Sequence, residues 1–189
     1  MILNDQKIRI ALKKRLMMAR NKPLSVIDEL GVENGRAIAD VVAIYKFTHC
    51  YEIKSDLDSL SRLDRQADFY NRNFSKITLI ITEKHLDKSL NKLPDFWGVL
   101  IAKKVESRIV FECVRKAGLN KYIKKESLLE GMWREELCTI YEESYGMLPA
   151  KSYSRAMITK KISHLPKSFL MKCFVDALST RLQRKSQSM

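Results

Sequence analysis

Apolar residues recur at helical spacing along the first twenty positions: Leu3, Ile8, Leu12 and Leu16 share one face of a helix predicted over residues 3–20. Lys13, Lys14, Arg15 and Arg20 give that helix a basic face, and Pro23 stops it. Val26 to Val32 fits either a helix end or a first strand, and Asn34-Gly35 is a turn dipeptide. From Ala37 to Tyr45 the pattern changes. AIADVVAIY is dense in apolar and β-branched residues and reads as a strand. Cys50 to Lys54 reads as a second strand, with Lys46 to His49 as the polar break of a hairpin.

A second helical stripe follows, formed by Leu57, Leu60, Leu63, Ala67, Tyr70 and Phe74, with Ser55 as its cap and Asp58 three residues on. KITLIIT and WGVLIA are compact apolar runs of core-strand type, and SRIVFECV reads as a further, edge strand. His85 falls in a loop or helix start, and Trp97 in the core. Beyond residue 118 the pattern is helical. Leu129, Trp133, Leu137 and Tyr141 repeat every four residues in LLEGMWREELCTIYEESYG. SYSRAMITKKISHL and FLMKCFVDALSTRL read as two short helices, and RLQRKSQSM as a frayed end. This divides the chain into a core over residues 1–116 and a basic helical region over 117–189.

Charges within the hairpin change the picture. Asp40 lies in the first strand, and Glu52, Ile53 and Lys54 end the second. Charged groups in apolar strands are unfavourable unless paired or bound to metal. A turn centred near Lys46 makes residues whose numbers sum to 92 face each other, which sets Asp40 opposite Glu52 with Lys54 on the same face. An ordinary Glu–Lys pair on a solvated face is the plainer alternative. Asp40 argues against it, because Ile38, Val42 and Ile44 share its face and are expected to be buried. Two carboxylates suit Mg2+ or Mn2+, with water and a substrate phosphate completing the shell. The Ile53 carbonyl is a further candidate ligand. Lys54 could orient or deprotonate a water or stabilise charge on phosphorus. Gln66 and Tyr70 are neighbours on the next helix. Gln66 could hold the lysine, a water or a phosphate, or be a satisfied half-buried amide.

This arrangement resembles the PD-(D/E)xK nuclease superfamily. Asp40 and Glu52-Ile53-Lys54 match its core, with Ala39-Asp40 standing where Pro-Asp is usual. Glu29, in VIDELGV, sits where an upstream acid often completes the site. Gln66 and Tyr70 in RQADFY match the Q-x-x-x-Y motif of the RecB-like and phage-exonuclease branch. The stretch from ELGV through YEIKSDLDSLSRLDRQADFY to WGVLIA is similar to a set of bacterial and phage proteins placed in that superfamily. The resemblance covers roughly residues 24–115. It implies an α/β fold with a restriction-endonuclease-like mixed central sheet flanked by helices, followed here by the C-terminal helical region. It also implies Mg2+- or Mn2+-dependent phosphodiester hydrolysis, with Asp40, Glu52 and Glu29 toward metal and Lys54, Gln66 and Tyr70 assisting.

The formal charge of +13 favours a polyanion, nucleic acid first; the resemblance makes DNA the expected one. Residues 1–102 hold 17 basic and 13 acidic residues, net +4, while residues 103–189 hold 18 and 9, net +9. Arg36, Lys151, Arg155, Lys160 and Lys161 are the candidate phosphate contacts. Cys50, Cys113, Cys138 and Cys173 are widely spaced and read as reduced thiols of a cytoplasmic protein. They form no zinc spacing with His49, His85 or His164. No apolar run is long enough to cross a membrane, and charges from Asp5 onward interrupt any signal-peptide core. The other functions left open are a nucleic-acid-binding protein without chemistry and a subunit of a larger nucleoprotein complex. A homodimer or a protein partner fits either.

Overall fold

The computed structural model describes residues 3–187, with side-chain environments through Arg181. The chain forms six strands and seven α-helices among the described residues. In order they are α1 (Asp5–Met18), β1 (Ser25–Val32), β2 (Ala37–Ile44), β3 (Thr48–Lys54), α2 (Leu63–Asn73), β4 (Lys76–Ile81), α3 (Leu86–Leu90), β5 (Gly98–Val105), β6 (Arg108–Arg115), α4 (Lys125–Glu130), α5 (Arg134–Tyr145), α6 (Arg155–Ile162) and α7 (Lys167–Gln187). A 3₁₀ turn, Glu83–His85, precedes α3 and contains the buried His85. No helix among the described residues is long and apolar enough to cross a membrane.

The strands make one sheet in sequence order. β1, β2 and β3 are antiparallel, β3, β4 and β5 are parallel, and β6 returns antiparallel at the edge. The molecule is therefore mixed α/β. The β3–α2–β4 crossover brings α2 over the sheet face that carries the even-numbered residues of the hairpin.

Strand alternation splits the core in two. Val41, Ala43, Tyr51, Ile53 and Ile80 meet Ile8, Leu12 and Leu16 of α1 on one face. Asn4 caps α1, its side chain accepting from the Lys7 amide at 3.0 Å. On the other face Val42, Ile44, Cys50, Ile77, Leu79 and Ile81 pack with Leu63, Ala67, Tyr70 and Phe74 of α2. Leu128, Leu137, Ile158, Leu170, Phe174 and Leu178 of the C-terminal helices join that same cluster. Trp97 is fully buried within it.

Three sequence expectations are corrected. The helix expected from Ser55 begins only at Leu63. Both the Ser55 amide and its hydroxyl donate to the Asp58 carboxylate, closing a local turn that competes with helix. Leu57 is 69% exposed there and packs on nothing that would hold it helical. The four-residue repeat from Leu129 to Tyr141 spans two helices, not one. The chain breaks at Gly131, where an added Cβ would lie 3.0 Å from Phe174 of α7. Trp133 restarts it as the cap of α5, its amide donating to Glu136 Oε2 at 2.7 Å. The end expected to fray is helical through Gln187; Ser188 and Met189 lie outside the described residues. α7 is anchored upstream by buried Leu170, Phe174 and Leu178.

Candidate active site

The β2–β3 ladder pairs Ile44 with Thr48, Ala43 with His49, Val42 with Cys50 and Val41 with Tyr51. The next step in that register sets Asp40 opposite Glu52, the relation expected from a turn near Lys46. Beyond the ladder the Asp40 side chain takes over from the main chain: its Oδ2 accepts from the Ile53 amide at 2.7 Å. Glu52 is 1% exposed, yet both its oxygens are held. Oε1 accepts from Lys54 Nζ at 2.6 Å, and Oε2 lies 2.7 Å from Tyr70 Oη. Lys54 Nζ also donates to Gln66 Oε1 at 3.0 Å. Tyr70 Oη sits 2.7 Å from the Ile38 carbonyl as well, and Gln66 Nε2 donates to it at 3.4 Å. A buried ion pair survives only when its remaining hydrogen-bonding capacity is met, and α2 supplies that here.

Asp40 is held differently. Its side chain is 21% exposed, and its Oδ1 accepts from Arg9 Nη2 at 3.2 Å. The same nitrogen reaches Asp5 at 3.0 Å, and Arg9 Nη1 reaches Glu29 at 3.3 Å. One guanidinium from α1 thus bridges three carboxylates. The β1–β2 register, with Asp28 opposite Val41 and Leu30 opposite Ala39, places Glu29 across from Asp40. Glu29 adopts a left-handed backbone (φ 54°), uncommon in a strand, and its side chain is 70% exposed.

Burial first, and the negative charge of Glu52 second, push the Asp40 carboxyl up to about 7; the Ile53 amide and Arg9 pull the other way without cancelling them. Burial followed by the Glu52 charge also raises the Tyr70 phenol, so it stays protonated and can donate. His49, on the same strand, is pushed down to about 3 by burial and by Lys76. It is neutral at physiological pH and bonds Thr78 at 2.8 Å, away from the acids.

The cluster opens into a cleft of about 530 Å³ lined by Asp40, Glu52, Ile53, Lys54 and Gln66, with Arg36, Arg62 and Arg65 among its other walls. Two facing carboxylates beside a strand end suit a hard divalent cation. The raised Asp40 pKa marks negative charge that the fold leaves under-compensated, the condition a bound cation relieves. Among the described residues no three acidic, histidine or cysteine side chains cage one point. Two carboxylates are what a magnesium site completed by water and phosphate uses.

The structure therefore gathers Asp40, Glu52, Ile53, Lys54 and Gln66 at one cleft, with Glu29 and Arg36 at its rim and Tyr70 buried behind it. Ile38, expected to be buried beside Asp40, is instead 53% exposed and forms part of the cleft wall. The physical reason is position: Ile38 stands past the last β2–β3 pair, where the sheet face opens. Lys151, Lys160 and Lys161 are exposed and outside the cleft lining, and Lys161 covers the Tyr153 ring at 5.3 Å. Arg155 donates to the carbonyls of Leu129, Glu130 and Met132 at the end of α4. Sequence reasoning missed Arg9 and Asp5, whose i,i+4 spacing was visible but whose direction was not, and also Arg62 and Arg65.

A solved structure of a protein of unknown function from Silicibacter pomeroyi is 19% identical, with a TM-score of 0.44 over 61% of this chain and 73% of that one. Protein cII of Enterobacteria phage P4 is 24% identical over 190 residues, 98% of this chain and 70% of that protein. Residues 2–189 match the family described as Bacteriophage P4 protein cII, and the chain belongs to that family.

Proposed function

We propose that this chain is a metal-dependent nuclease of the PD-(D/E)xK type that hydrolyses phosphodiester bonds in DNA, on a restriction-endonuclease-like sheet. The observation that carries the reading is Asp40 opposed to Glu52, with Lys54 pinned between Glu52 and Gln66 in the wall of one cleft. Asp40 and Glu52 would hold Mg2+ or Mn2+, with the Ile53 carbonyl and Glu29 as candidate additional ligands. A divalent ion held there would supply a water of lowered pKa and offset charge on the scissile phosphate.

The protein's own groups do the rest. Gln66 and Glu52 fix the Lys54 ammonium, so it is already oriented when charge builds on phosphorus. Tyr70 holds Glu52 from behind and ties it to the Ile38 carbonyl. Arg36, Arg62 and Arg65 present positive charge along the cleft wall for the phosphates on either side. Lys151, Lys160 and Lys161, exposed outside the cleft, and Arg155, in the wall of a second recess, would be further phosphate contacts.

The test is a cleavage assay on linear, circular and single-stranded DNA and on RNA, with Mg2+, Mn2+ or EDTA, beside Glu52→Gln. Cutting that needs metal and disappears in the variant supports the reading. Cutting that persists in EDTA, or in Glu52→Gln, overturns it. A second reading, a nucleic-acid-binding protein without chemistry, draws on Arg9, which already donates to Asp40 in the metal-free chain. Salt-sensitive DNA binding with no cleavage in either metal would favour that reading.

A further inference from the structure

Beside the cleft lies a second recess of about 530 Å³. The β1–β2 turn and the α4–α5 junction wall it, together with Arg155 and Arg181, and Gly35 lines both recess and cleft. Gly35 follows Glu33 and Asn34 in three consecutive left-handed residues, so the shared wall is a tight main-chain turn. Glu33, at its start, is buried and held by Arg72 at 2.7 and 3.0 Å and by Ser127 at 3.1 Å. That ties the turn to α2 and α4 and fixes the recess relative to the cleft.

The recess carries an aromatic platform. Trp133 is 49% exposed. The Arg181 guanidinium covers its ring, 4.3 Å from the centroid. Glu136 grips that guanidinium at 2.7 and 2.6 Å, and the Gly131 carbonyl accepts from it at 2.8 Å. A ring backed by a clamped cation keeps its orientation, and about half of the residue remains in solvent. Arg134 and Arg155 flank it. Both donate to main-chain carbonyls, and among the described residues no carboxylate pairs with either. Of the two acids in the lining, Glu33 is paired with Arg72, and the Glu130 main-chain carbonyl accepts from Arg155.

We propose that this recess binds one nucleotide of a single-stranded nucleic acid, its base stacked on Trp133 and its phosphates against Arg134 and Arg155. The inference deepens the nuclease reading and rests on it: the strand passes Gly35 and Arg36 into the acid-lined cleft. The base must be unpaired, because the faces of a base inside a duplex are already stacked. The substrate class is therefore a single strand or the frayed end of a duplex.

Intrinsic fluorescence tests this directly, because Trp133 and the fully buried Trp97 are the two tryptophans. The full chain in EDTA is titrated with a short oligothymidylate, a relaxed closed-circular duplex, which has no ends to fray, and heparin. Quenching by the single strand alone is expected, and Trp133→Leu should lose both the quenching and about tenfold in affinity, read by anisotropy. Trp133→Phe should recover most of the affinity, and Arg134→Gln should weaken binding and flatten its salt dependence. Circular dichroism checks that each variant is folded. Equal quenching by duplex or heparin, or undiminished affinity in Trp133→Leu, overturns the inference. Glu52→Gln separates the two claims. It should bind the oligonucleotide like wild type, so lost cleavage with retained quenching supports both. Unchanged metal-dependent cleavage in Glu52→Gln sinks the nuclease reading, while the Trp133 result is read on its own.

Discussion

Asp40 and Glu52 face each other across one hairpin, yet they are held in opposite ways. Glu52 is almost wholly buried, and its partners are Lys54 of the same strand and Tyr70 of the helix packed over that face, with Gln66 of that helix holding Lys54 in turn. Asp40 is partly open and depends on Arg9, sent from a helix whose apolar stripe packs on the opposite face of the sheet. Glu52 is therefore fixed by the fold itself. The charge of Asp40 is only partly offset, by a side chain that comes from outside that face of the core. A site that exchanges a cation needs both: one carboxylate already in place, and one whose compensating charge can be replaced.

Lys54→Met breaks the inner half and should have the largest effect. It leaves the Glu52 charge buried beside Tyr70 without its counter-ion, a change that costs about 3–5 kcal/mol. Urea denaturation of the metal-free protein reads that loss. On the proposed nuclease function, cleavage should fall by about 10²–10³ even where the variant is folded. A Lys54→Met chain as stable as wild type would show that the inner half is not held by this pair.

Asp40→Asn should act with the opposite sign in the metal-free chain. The folded carboxyl is pushed up to about 7 from an ordinary aspartate value of 3.8, so between those values the native state keeps a proton that the unfolded chain gives up. Stability is then lost as pH rises from about 4 to about 7 and is flat above. Replacing the acid with an amide removes that loss, a gain of up to about 4 kcal/mol at pH 8 that vanishes toward pH 4. Denaturant midpoints across pH in EDTA measure it. Added Mn2+ should reverse the order by stabilising only the wild type. A variant less stable than wild type at pH 8 would place Asp40 with Glu52 as a structurally satisfied acid.

Tyr70→Phe sharpens the same contrast at smaller scale. It takes from Glu52 its one neutral partner and leaves Gln66 Nε2 short of an acceptor. The expected cost is about 1.5–3 kcal/mol in denaturation, with Asp40 behaviour unchanged. An effect of that size that appears only in the presence of metal would assign the phenol to the outer half.

The inner half was legible in the sequence because it is local. Strand alternation puts Glu52 and Lys54 on one face, and helical spacing puts Gln66 next to Tyr70. The hairpin register followed from one assumed turn. The outer half was not legible, because Arg9 reaches Asp40 across 31 positions and its direction depends on how α1 docks. The same limit hid the helix start at Leu63. Ser55 and Asp58 have the residue types of a capping box, but their side chains close a turn on themselves. Trp133 reads as one more apolar position in a four-residue repeat until Gly131 breaks the helix and turns the ring outward.

Arg9→Met tests whether the outer half exchanges cations. In the metal-free chain Arg9 holds Asp5, Glu29 and Asp40 together, so its removal should destabilise modestly, by about 1 kcal/mol for a half-open pair. Metal binding should move the other way. With the guanidinium gone, a divalent ion beside Asp40 no longer meets a fixed positive charge, and Mn2+ affinity by calorimetry at pH 8 should tighten by about tenfold. The pH matters: Arg9 pulls the Asp40 pKa down, so near neutrality its loss would also bring a proton into competition. Weaker or unchanged Mn2+ binding would mean that Arg9 is as fixed a part of its half as Lys54 is of the other. Tighter binding from a less stable protein is the signature of a cation that holds the place of another.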